Sequence, residues 1–315
     1  MAQAAILTLT LNPALDVSTH VAHVVPGEKL RCGAPTLNPG GGGLNVSRAI
    51  HALGGQSQAL VALGGATGAQ MAGLLQAGGL QFQVLQSPGE TRQSLTVTET
   101  TSGQQYRFLL PGPDWGAGDQ AQVFARLAEI ARPGGYAVIS GSQPPGVPAD
   151  FPARLAAALP GMQVVLDTSG RALAQAVAQP IPGLEVLRMD SAEAEALSGS
   201  PLASPKATAD FATELVNRDV AKAVLIARGA EGNVLVTKGL RLMARAPNVQ
   251  VISAVGAGDS FVAGLVLTLA AGQDLPQALR HATACAAAAV MTPATDLCRA
   301  EDVARLLPQV MLAAV

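Results

Sequence analysis

Short hydrophobic runs alternate along this chain with stretches of helical periodicity. The runs are rich in Val, Ile and Leu, and the stretches between them are rich in Ala and Leu with apolar positions on one helical face. This alternation predicts an α/β fold with a mostly parallel central sheet flanked by helices. The predicted strands are Ala4–Leu11, Gln58–Leu63, Ala137–Ser140, Gln163–Asp167, Glu185–Leu187, Ala223–Ala227 and Asn233–Thr237. The predicted helices are Asn45–Leu53, Gly68–Ala77, Gln120–Ile130, Phe151–Ala158, Ser191–Leu197 and Thr208–Asn217.

Two segments do not fit the alternation. They are Val17–Thr36 and Ser94–Leu110, of which the second alternates polar and apolar residues, and neither has a helical stretch between its strands. They predict a small antiparallel β lid outside the main sheet, formed approximately by residues 14–38 and 91–112. Such a lid could exclude water from a reaction or form a dimer contact. The chain contains no linker or repeat that would divide it, so residues 1–315 are expected to form one domain.

The segment from Val251 to Gly264 is the most informative one. A β-branched run, expected to end a strand, gives way to Gly-Ala-Gly-Asp and then to an apolar helix of small residues. The N–H groups of Ala257, Gly258 and Asp259 could bind one anion at the start of that helix, where the helix dipole also favours negative charge. The Asp259 carboxylate could take a proton from a hydroxyl group that attacks phosphorus. The same residues also suit a tight turn followed by a helix cap.

A second glycine cluster, Gly40–Gly43, also opens a helix. Four consecutive glycines exceed what a turn needs, and they would let a ligand lie against the main chain. Asn45 offers an amide for sugar hydroxyl groups, and Arg48 is either a charge partner or a solvated helix residue. Because ligands of parallel sheets bind at the carboxyl ends of the strands, both glycine clusters are expected at that edge.

Composition excludes several partners. The 315 residues are 49% hydrophobic and 13% charged with a net charge of −2, so the chain offers no field for nucleic acid or for an anionic membrane. The apolar stretches Phe261–Ala271 and Ala282–Thr292 are too short to span a bilayer and are expected to be buried helices. No GxGxxG follows the first strand, which argues against a Rossmann oxidoreductase.

The cysteines and the N-terminus point to the cytoplasm. Cys32, Cys285 and Cys298 are odd in number and lack the spacing of a zinc site or a disulfide framework, so reduced thiols are expected. The N-terminal residues lack a basic region and alternate like a strand, so they are expected to be structure and not a targeting segment.

Three motifs in order along the chain resemble the ribokinase/PfkB family of sugar kinases. They are Gly40–Asn45, Gly141–Gly146 and Gly256–Asp259, and the likeness extends from about residue 5 to residue 300. Further segments are similar to the phosphosugar branch of that family, and most of all to the minor, type II bacterial 6-phosphofructokinases. These segments are Thr8–Asp16, Gly27–Cys32, Thr91–Gln93, Gln105–Phe108 and Thr295–Cys298.

The resemblance implies a ribokinase-like fold and an ATP-dependent phosphorylation of a ketohexose phosphate, with fructose 6-phosphate converted to fructose 1,6-bisphosphate. Tagatose 6-phosphate and fructose 1-phosphate are alternative acceptors. A non-catalytic sensor of phosphosugars or nucleotides, derived from a kinase, is an alternative of a different class. By the same resemblance we expect ATP as co-substrate, Mg²⁺ as cofactor and a homodimer that forms through the lid.

The family likeness also assigns roles to individual residues. Asp259 would be the general base, and Gly256, Ala257 and Gly258 would form the anion hole with it. The sugar and its phosphate would contact Asp16, Lys29, Gly41, Gly42, Asn45, Arg92 and Ser140. The nucleotide would contact Arg188, Asp190, Ala227, Arg228, Gly229 and Gly232, and Glu193 would bind the metal through water.

Two segments depart from the family pattern. Relatives have Lys-Pro-Asn where this chain has Arg188-Met189-Asp190, so an amide is replaced by a carboxylate that would repel the triphosphate unless Mg²⁺ or Arg188 offsets it. Ala227 stands where relatives have a Ser or Thr hydroxyl. Arg228 could compensate for that loss by binding phosphate.

Overall fold

The computed structural model describes residues 3–293 and 296–315, so Thr295 of the Thr295–Cys298 motif lies outside the described residues, as do the first two residues of the N-terminal segment. Within the described residues the chain forms fourteen strands and ten α-helices. The strands are β1 (Ile6–Thr10), β2 (Ala14–Val21), β3 (Thr36–Gly40), β4 (Gln58–Leu63), β5 (Phe82–Gln86), β6 (Arg92–Glu99), β7 (Gln105–Leu109), β8 (Tyr136–Ser140), β9 (Gln163–Asp167), β10 (Val186–Asp190), β11 (Ala223–Ala227), β12 (Asn233–Thr237), β13 (Arg241–Arg245) and β14 (Met311–Ala314). The helices are α1 (Gly42–Ala52), α2 (Gly65–Ala77), α3 (Ala117–Ile130), α4 (Phe151–Ala157), α5 (Gly170–Ala178), α6 (Ser191–Ser198), α7 (Pro205–Asn217), α8 (Ala257–Ala270), α9 (Leu275–Ala289) and α10 (Ala300–Leu306).

A large sheet forms the centre of the molecule. Its strand order is β14-β13-β12-β11-β10-β9-β8-β1-β4-β5. All pairs from β11 to β5 are parallel, and the pairs from β11 to β14 are antiparallel. The predicted α/β class with a mostly parallel sheet is therefore confirmed. The direction in which successive strands are added reverses between β1 and β8, and such a reversal opens a crevice at the carboxyl ends of the strands.

Helices cover both faces of this sheet. All five residues of β1 are buried, with Leu7 and Leu9 in the apolar layer on one face and Ile6 in the layer on the other. This is the pattern expected when both sides of a parallel strand are covered. One layer contains α8 and α9, so the two late apolar stretches are buried helices as predicted. None of the helices in residues 3–293 and 296–315 has the length and hydropathy needed to cross a membrane.

The lid residues form a separate four-stranded sheet with the order β3-β2-β6-β7. The outer pairs, β2 with β3 and β6 with β7, are antiparallel as predicted. The central pair of β2 and β6 is parallel, which is a correction to a purely antiparallel lid. This pairing is possible because the chain passes through the main domain between these strands, and parallel neighbours need such a long crossover.

Most predicted elements are present, and the differences have simple causes. Helices α1, α2, α3 and α7 begin three residues earlier than predicted, because the added residues are small, polar or Pro, apart from Leu44 in α1, and give no apolar periodicity. The expected strand before Gly256 is absent: residues 251–255 are a loop, and the side chains of Val251 and Ile252 are 65% and 55% exposed. β-branched residues are typical of strands, but within the described residues no strand of the sheet pairs with these two residues. Strands β5, β13 and β14 and helices α5 and α10 were not predicted, since each is short and carries a weak pattern.

Helix α8 depends on a close approach to α9. A Cβ atom on Gly264 would lie 2.6 Å from Cys285 Sγ and 3.1 Å from Ala282 Cα. Both neighbours are fully buried, so neither has room to move aside. The absence of a side chain at Gly264 therefore sets the spacing of these two helices.

We predict that Gly264→Ala destabilises the fold by about 1–3 kcal/mol, because overpacking a close-packed layer costs energy of this order. The measurement is chemical denaturation. Gly73→Ala is the matched control, since Gly73 lies inside α2 and a Cβ atom there would have no neighbouring atom within 4 Å. There the better helix propensity of Ala should add about 0.5–1 kcal/mol of stability. Equal effects of the two substitutions would contradict this account.

Candidate active site

A cavity of about 380 Å³ lies between the large sheet and the small sheet. Its floor is formed by residues that follow β8 and β9, where the strand order reverses beside β1. One wall comes from the start of α1 and the start of α8, and the opposite wall from β2, β6 and β7 of the small sheet. Both glycine clusters thus lie at the carboxyl edge of the sheet, and their nearest functional side chains line one cavity.

The first turn of α8 carries the carboxylate of Asp259. Gly256 precedes the helix in the left-handed conformation (φ 79°), which a residue with a side chain rarely adopts, and this turns the chain into the helix. The first intrahelical bond runs from Ser260 N to Gly256 O (2.9 Å). A helix cannot pair the N–H groups of its first turn internally, so those of Ala257, Gly258 and Asp259 are available to an anion.

The environment of Asp259 favours its protonated form. Its pKa is raised to about 6, chiefly by burial and then by the neighbouring carboxylate of Asp167. A hydrogen bond that Asn45 Nδ2 donates to Asp259 Oδ2 (2.9 Å) and the positive charge of Arg188 act in the opposite direction. Because this pKa of about 6 is still below 7, Asp259 is mostly ionised at neutral pH, and it accepts a proton more readily than an ordinary aspartate does.

The first glycine cluster brings α1 against the end of β8. A Cβ atom on Gly42 would collide with Ser140 Oγ and Gly141 N. Gly41 has φ 123°, outside the range that L side chains adopt readily, and both glycines line the cavity. The glycine cluster therefore has two effects. It lets α1 pack closely against the end of β8, and it leaves main-chain atoms exposed to the cavity.

The small sheet supplies charged side chains to the opposite wall. Asp16 on β2 lies opposite Ser94 on the parallel strand β6, and Arg92 and Arg107 line the same wall. Burial raises the pKa of Asp16, and the nearby positive charges of Arg92, Arg48 and Arg107 counteract this. Arg92 is partly fixed, because its Nε donates to Asn12 O (3.2 Å) and its Nη1 to Leu110 O (3.4 Å).

An ion pair holds a carboxylate of the cavity floor. Asp167, at the end of β9, accepts a hydrogen bond from Ser140 Oγ (3.1 Å) and pairs with Arg188 Nη1 (3.1 Å). The guanidinium group of Arg188 also lies next to Gly258, where a Cβ atom would be 3.0–3.3 Å from it. Arg188 thus offsets the carboxylates around Asp259 from behind the first turn of α8.

Glu193 and Asp190 cap α6 reciprocally. Glu193 N donates to Asp190 Oδ1, and Asp190 N donates to Glu193 Oε2, both at 2.9 Å. This explains why Asp can stand where relatives have Asn, since the two are equally good N-caps. Glu193 lines the cavity, and burial raises the pKa of its carboxyl group. The described part of the chain contains no cluster of three or more His, Cys, Asp or Glu side chains that could enclose a metal.

Apart from Arg188, which lies behind the first turn of α8, the residues assigned to the nucleotide lie outside the cavity lining. Asp190 and Ala227 are opposite each other at the carboxyl ends of the parallel strands β10 and β11. Arg228, Gly229 and Gly232 follow in the turn between β11 and β12. They form a strip that continues outward from the Glu193 wall.

The idea that Arg228 reaches phosphate needs correction. Its guanidinium group pairs with Glu231 Oε2 (2.8 Å), donates to Leu202 O (2.7 Å) and bonds Thr208 Oγ1, and its side chain is only 6% exposed. These bonds turn the charge towards α7, so it does not replace the missing hydroxyl at Ala227.

Lys29 is the one proposed sugar-phosphate residue that is not brought to the cavity in the described structure. It is exposed in the irregular segment between β2 and β3.

Conversely, sequence analysis did not assign Arg107 or Asp167. Asp167 ends a predicted strand and could have been found from its position at the carboxyl edge. Arg107 lies in the Gln105–Phe108 segment that resembles the phosphosugar kinases, and that likeness was the signal that could have assigned it.

Comparison with known proteins agrees with this geometry. Residues 9–302 match the pfkB family carbohydrate kinase description. The chain is 39% identical to the ATP-dependent 6-phosphofructokinase isozyme 2 of Mycobacterium tuberculosis (strain CDC 1551 / Oshkosh), over 95% of this chain and 88% of that protein. It is 33% identical to the 1-phosphofructokinase of Xanthomonas campestris pv. campestris, over 96% of this chain and 94% of that protein. The crystal structure of phosphofructokinase-2 from Escherichia coli in complex with fructose-6-phosphate superposes with a TM-score of 0.90 at 36% identity, covering 97% of this chain and 99% of that one.

We predict that Asp259→Asn stabilises the fold at neutral and alkaline pH. The pKa of Asp259 rises from its ordinary 3.8 to about 6, so its contribution to stability is full below pH 3.8 and is lost as the pH rises through 6. An amide keeps the shape and cannot ionise. Denaturation should show a gain of about 1–3 kcal/mol at pH 8 that vanishes near pH 4.

Asp274→Asn is the matched control for this substitution. Asp274 is an exposed N-cap of α9, and its carboxylate accepts a bond from Gln277 N (2.9 Å). Asn caps helices as well as Asp, so stability should change little at either pH. A gain at Asp259 that did not depend on pH would refute the assigned ionisation.

Proposed function

Because the chain belongs to the pfkB family of carbohydrate kinases, we propose that it transfers the γ-phosphoryl group of ATP to fructose 6-phosphate and forms fructose 1,6-bisphosphate. The observation that carries this proposal is one cavity with two functional ends: Asp259 at the start of α8, and Arg92 and Arg107 on the small sheet. The first end suits a phosphoryl group in transfer. The second suits a phosphate that the acceptor already carries, which a kinase for unphosphorylated sugars would not need.

At the first end, Asp259 takes the proton of the attacking hydroxyl group. The N–H groups of Gly256 to Asp259 stabilise the negative charge on the transferring phosphoryl oxygens. A carboxylate with a pKa of about 6 is ionised at pH 7 and is a stronger base than an ordinary aspartate. The small sheet excludes water when it closes over the cavity, which prevents transfer of the phosphoryl group to water.

At the second end, Arg92 and Arg107 bind the phosphate of the sugar through charge-assisted hydrogen bonds. Asp16, Gly41, Gly42 and Asn45 bind the sugar hydroxyl groups, and Ser140 lies at the cavity floor between the two ends. Lys29 would join the arginines only if the segment between β2 and β3 folded towards the cavity.

The nucleotide lies along the ends of β10 and β11, over Asp190, Ala227 and Gly229, with its phosphates towards α8. Glu193 lines the cavity between that strip and Asp259, and its carboxylate fits a water-mediated contact with Mg²⁺, an ion that keeps several waters in kinase sites. When bound, Mg²⁺ neutralises charge on the ATP phosphates. Arg188 supplies a fixed positive charge behind the same turn.

Phosphorylation of fructose 1-phosphate is the second candidate activity, because a 1-phosphofructokinase is among the relatives with more than 30% identity. Both reactions use the same base and differ in where the acceptor's phosphate lies.

We further propose that the enzyme acts in the cytoplasm as a homodimer formed through the small sheet. Phe108, Leu109 and Leu110 are 51%, 62% and 54% exposed there, and such an apolar edge favours a covering partner.

An ADP-release assay with MgATP tests the function directly. Fructose 6-phosphate, fructose 1-phosphate, tagatose 6-phosphate and fructose are the acceptors, and we expect turnover of fructose 6-phosphate. Asp259→Asn should lower kcat by roughly 10²–10⁴, because it removes the proton acceptor and keeps the shape. Binding of a phosphosugar without turnover of any acceptor would reject the kinase and favour a sensor.

We also expect Arg92→Gln to weaken binding of the sugar phosphate selectively. Losing one charge-assisted hydrogen bond costs about 1.5–3 kcal/mol, so KM for fructose 6-phosphate should rise by roughly 10- to 100-fold while KM for ATP stays within about twofold. Arg92→Lys should recover part of the loss. Arg132→Gln, at an exposed arginine that bonds only backbone carbonyls of Glu129 and Ala131 and lies away from the cavity, is the control. A parallel rise in both KM values would count against the assigned phosphate end.

A further inference from the structure

Arg48 is connected to the candidate base through one intervening side chain. It lies one turn after Asn45 on α1, and its Nη1 donates to Asn45 Oδ1 (3.0 Å) and to Pro39 O (2.7 Å). Asn45 Nδ2 in turn donates to Asp259 Oδ2 (2.9 Å). A continuous series of hydrogen bonds therefore runs from strand β3 of the small sheet to Asp259.

The chemistry of arginine fixes the direction of this series. A guanidinium group has donors and no acceptor, so only the carbonyl oxygen of the Asn45 amide can face Arg48. The NH₂ group of the amide must then point the other way, towards Asp259. If the amide turned round, two donors would face each other at Arg48 and two acceptors at Asp259, and each unfavourable pair would be partly buried.

We propose that Arg48 is a positioning residue, which orients the Asn45 amide so that Asp259 Oδ2 is fixed and Oδ1 is left to accept the proton of the acceptor hydroxyl group. Arg48 acts through Asn45 and has no contact with the reacting atoms. Because the same Nη1 bonds Pro39 on β3, this orientation is also tied to the position of the small sheet. The kinetic consequence of this inference rests on the proposed function, and its electrostatic consequence does not.

Several charged groups surround Asp259, and Arg48 is one of them. Asp167 faces Asp259 from the end of β9, Arg188 from β10 and Asp16 from β2. Glu193 on α6 interacts with Asp167 and Arg188, and Arg48 on α1 faces Asp16, Asp296 and Asp259. Removing Arg48 would take away a positive charge and free the amide to turn. Both changes disfavour the ionised carboxylate, so both raise the pKa of Asp259.

Arg48→Met is the main test. We expect kcat with fructose 6-phosphate to fall by roughly 10- to 100-fold, with KM for ATP within about twofold, because the base loses its orientation while the nucleotide strip is untouched. The ¹³C titration of the Asp259 carboxyl group, assigned by its absence in Asp259→Asn, should move upward by about one pH unit. Arg48→Lys keeps the charge and a donor, so it should recover most of both changes.

Two comparisons separate positioning from general damage. In an Asn45→Ala background, Arg48→Met should lower kcat by no more than about threefold, because residues that act through one another are not additive. Arg280→Met is the matched control: Arg280 on α9 also bonds a distant backbone oxygen, with Nε and Nη2 both 3.1 Å from Val310 O. Its loss should reduce stability and leave kcat unchanged. Should Arg48→Met not fold, Arg48→Gln replaces it, with smaller shifts in the same directions.

The outcomes distinguish this inference from the proposed function. A wild-type protein that turns over no acceptor would reject the function, and the carboxyl titration would still decide the role of Arg48. Wild-type turnover with an unchanged Asp259 titration and unchanged kcat in the Arg48 variant would overturn the inference alone. Losses in kcat that are fully additive with Asn45→Ala would overturn it as well.

Discussion

In the proposed reaction a carboxylate and a negatively charged phosphoryl group share one small cavity, and this constraint accounts for the arrangement of charges around Asp259. Asp259 has to be ionised to accept a proton, yet burial and the neighbouring carboxylates oppose its charge. The start of α8 attracts an anion to the same place. Arg188 and Asn45 stabilise the ionised form of Asp259. Arg188 does so through its positive charge behind the turn, and Asn45 through the hydrogen bond that it donates to the carboxylate. The result is a carboxylate that is ionised at neutral pH and has a higher proton affinity than an ordinary aspartate.

The fold satisfies this constraint through close approaches of backbone. Without a side chain at Gly42, the start of α1 can contact the end of β8, and this brings Asn45 within 2.9 Å of Asp259. Without a side chain at Gly264, α8 lies directly on α9. These contacts join residues that are far apart in the sequence, and they make the geometry at Asp259 a property of the packed core. The small sheet contributes its arginines from outside the core, which suits a part of the molecule that closes and opens.

The sequence was sufficient for the fold class and for most of the elements, because buried parallel strands and apolar helices leave strong patterns. Prediction fails where the sequence pattern around a residue does not indicate what that residue contacts in the fold. Val251 and Ile252 look like strand residues and lie exposed in a loop, since no neighbouring strand pairs with them. The partners of Arg228 could not be predicted, because its bonds to Leu202 and Thr208 depend on how α7 packs. The position of Asp167 at the end of a strand could be predicted, but its ion pair with Arg188 and its hydrogen bond from Ser140 could not, because no sequence spacing encodes them.

The pH dependence of the ratio of kcat/KM between wild type and Asp259→Asn shows whether the ionised carboxylate of Asp259 is the base. Taking the ratio cancels the titration of the phosphate groups on the substrates. If the ionised Asp259 is the base, the ratio should be constant above pH 7 and fall about tenfold per unit below a pH of about 6, where Asp259 takes up its proton. A ratio that stays constant from pH 4.5 to pH 8, roughly the range that spans the expected change, would contradict the claim and assign the chemistry to another group.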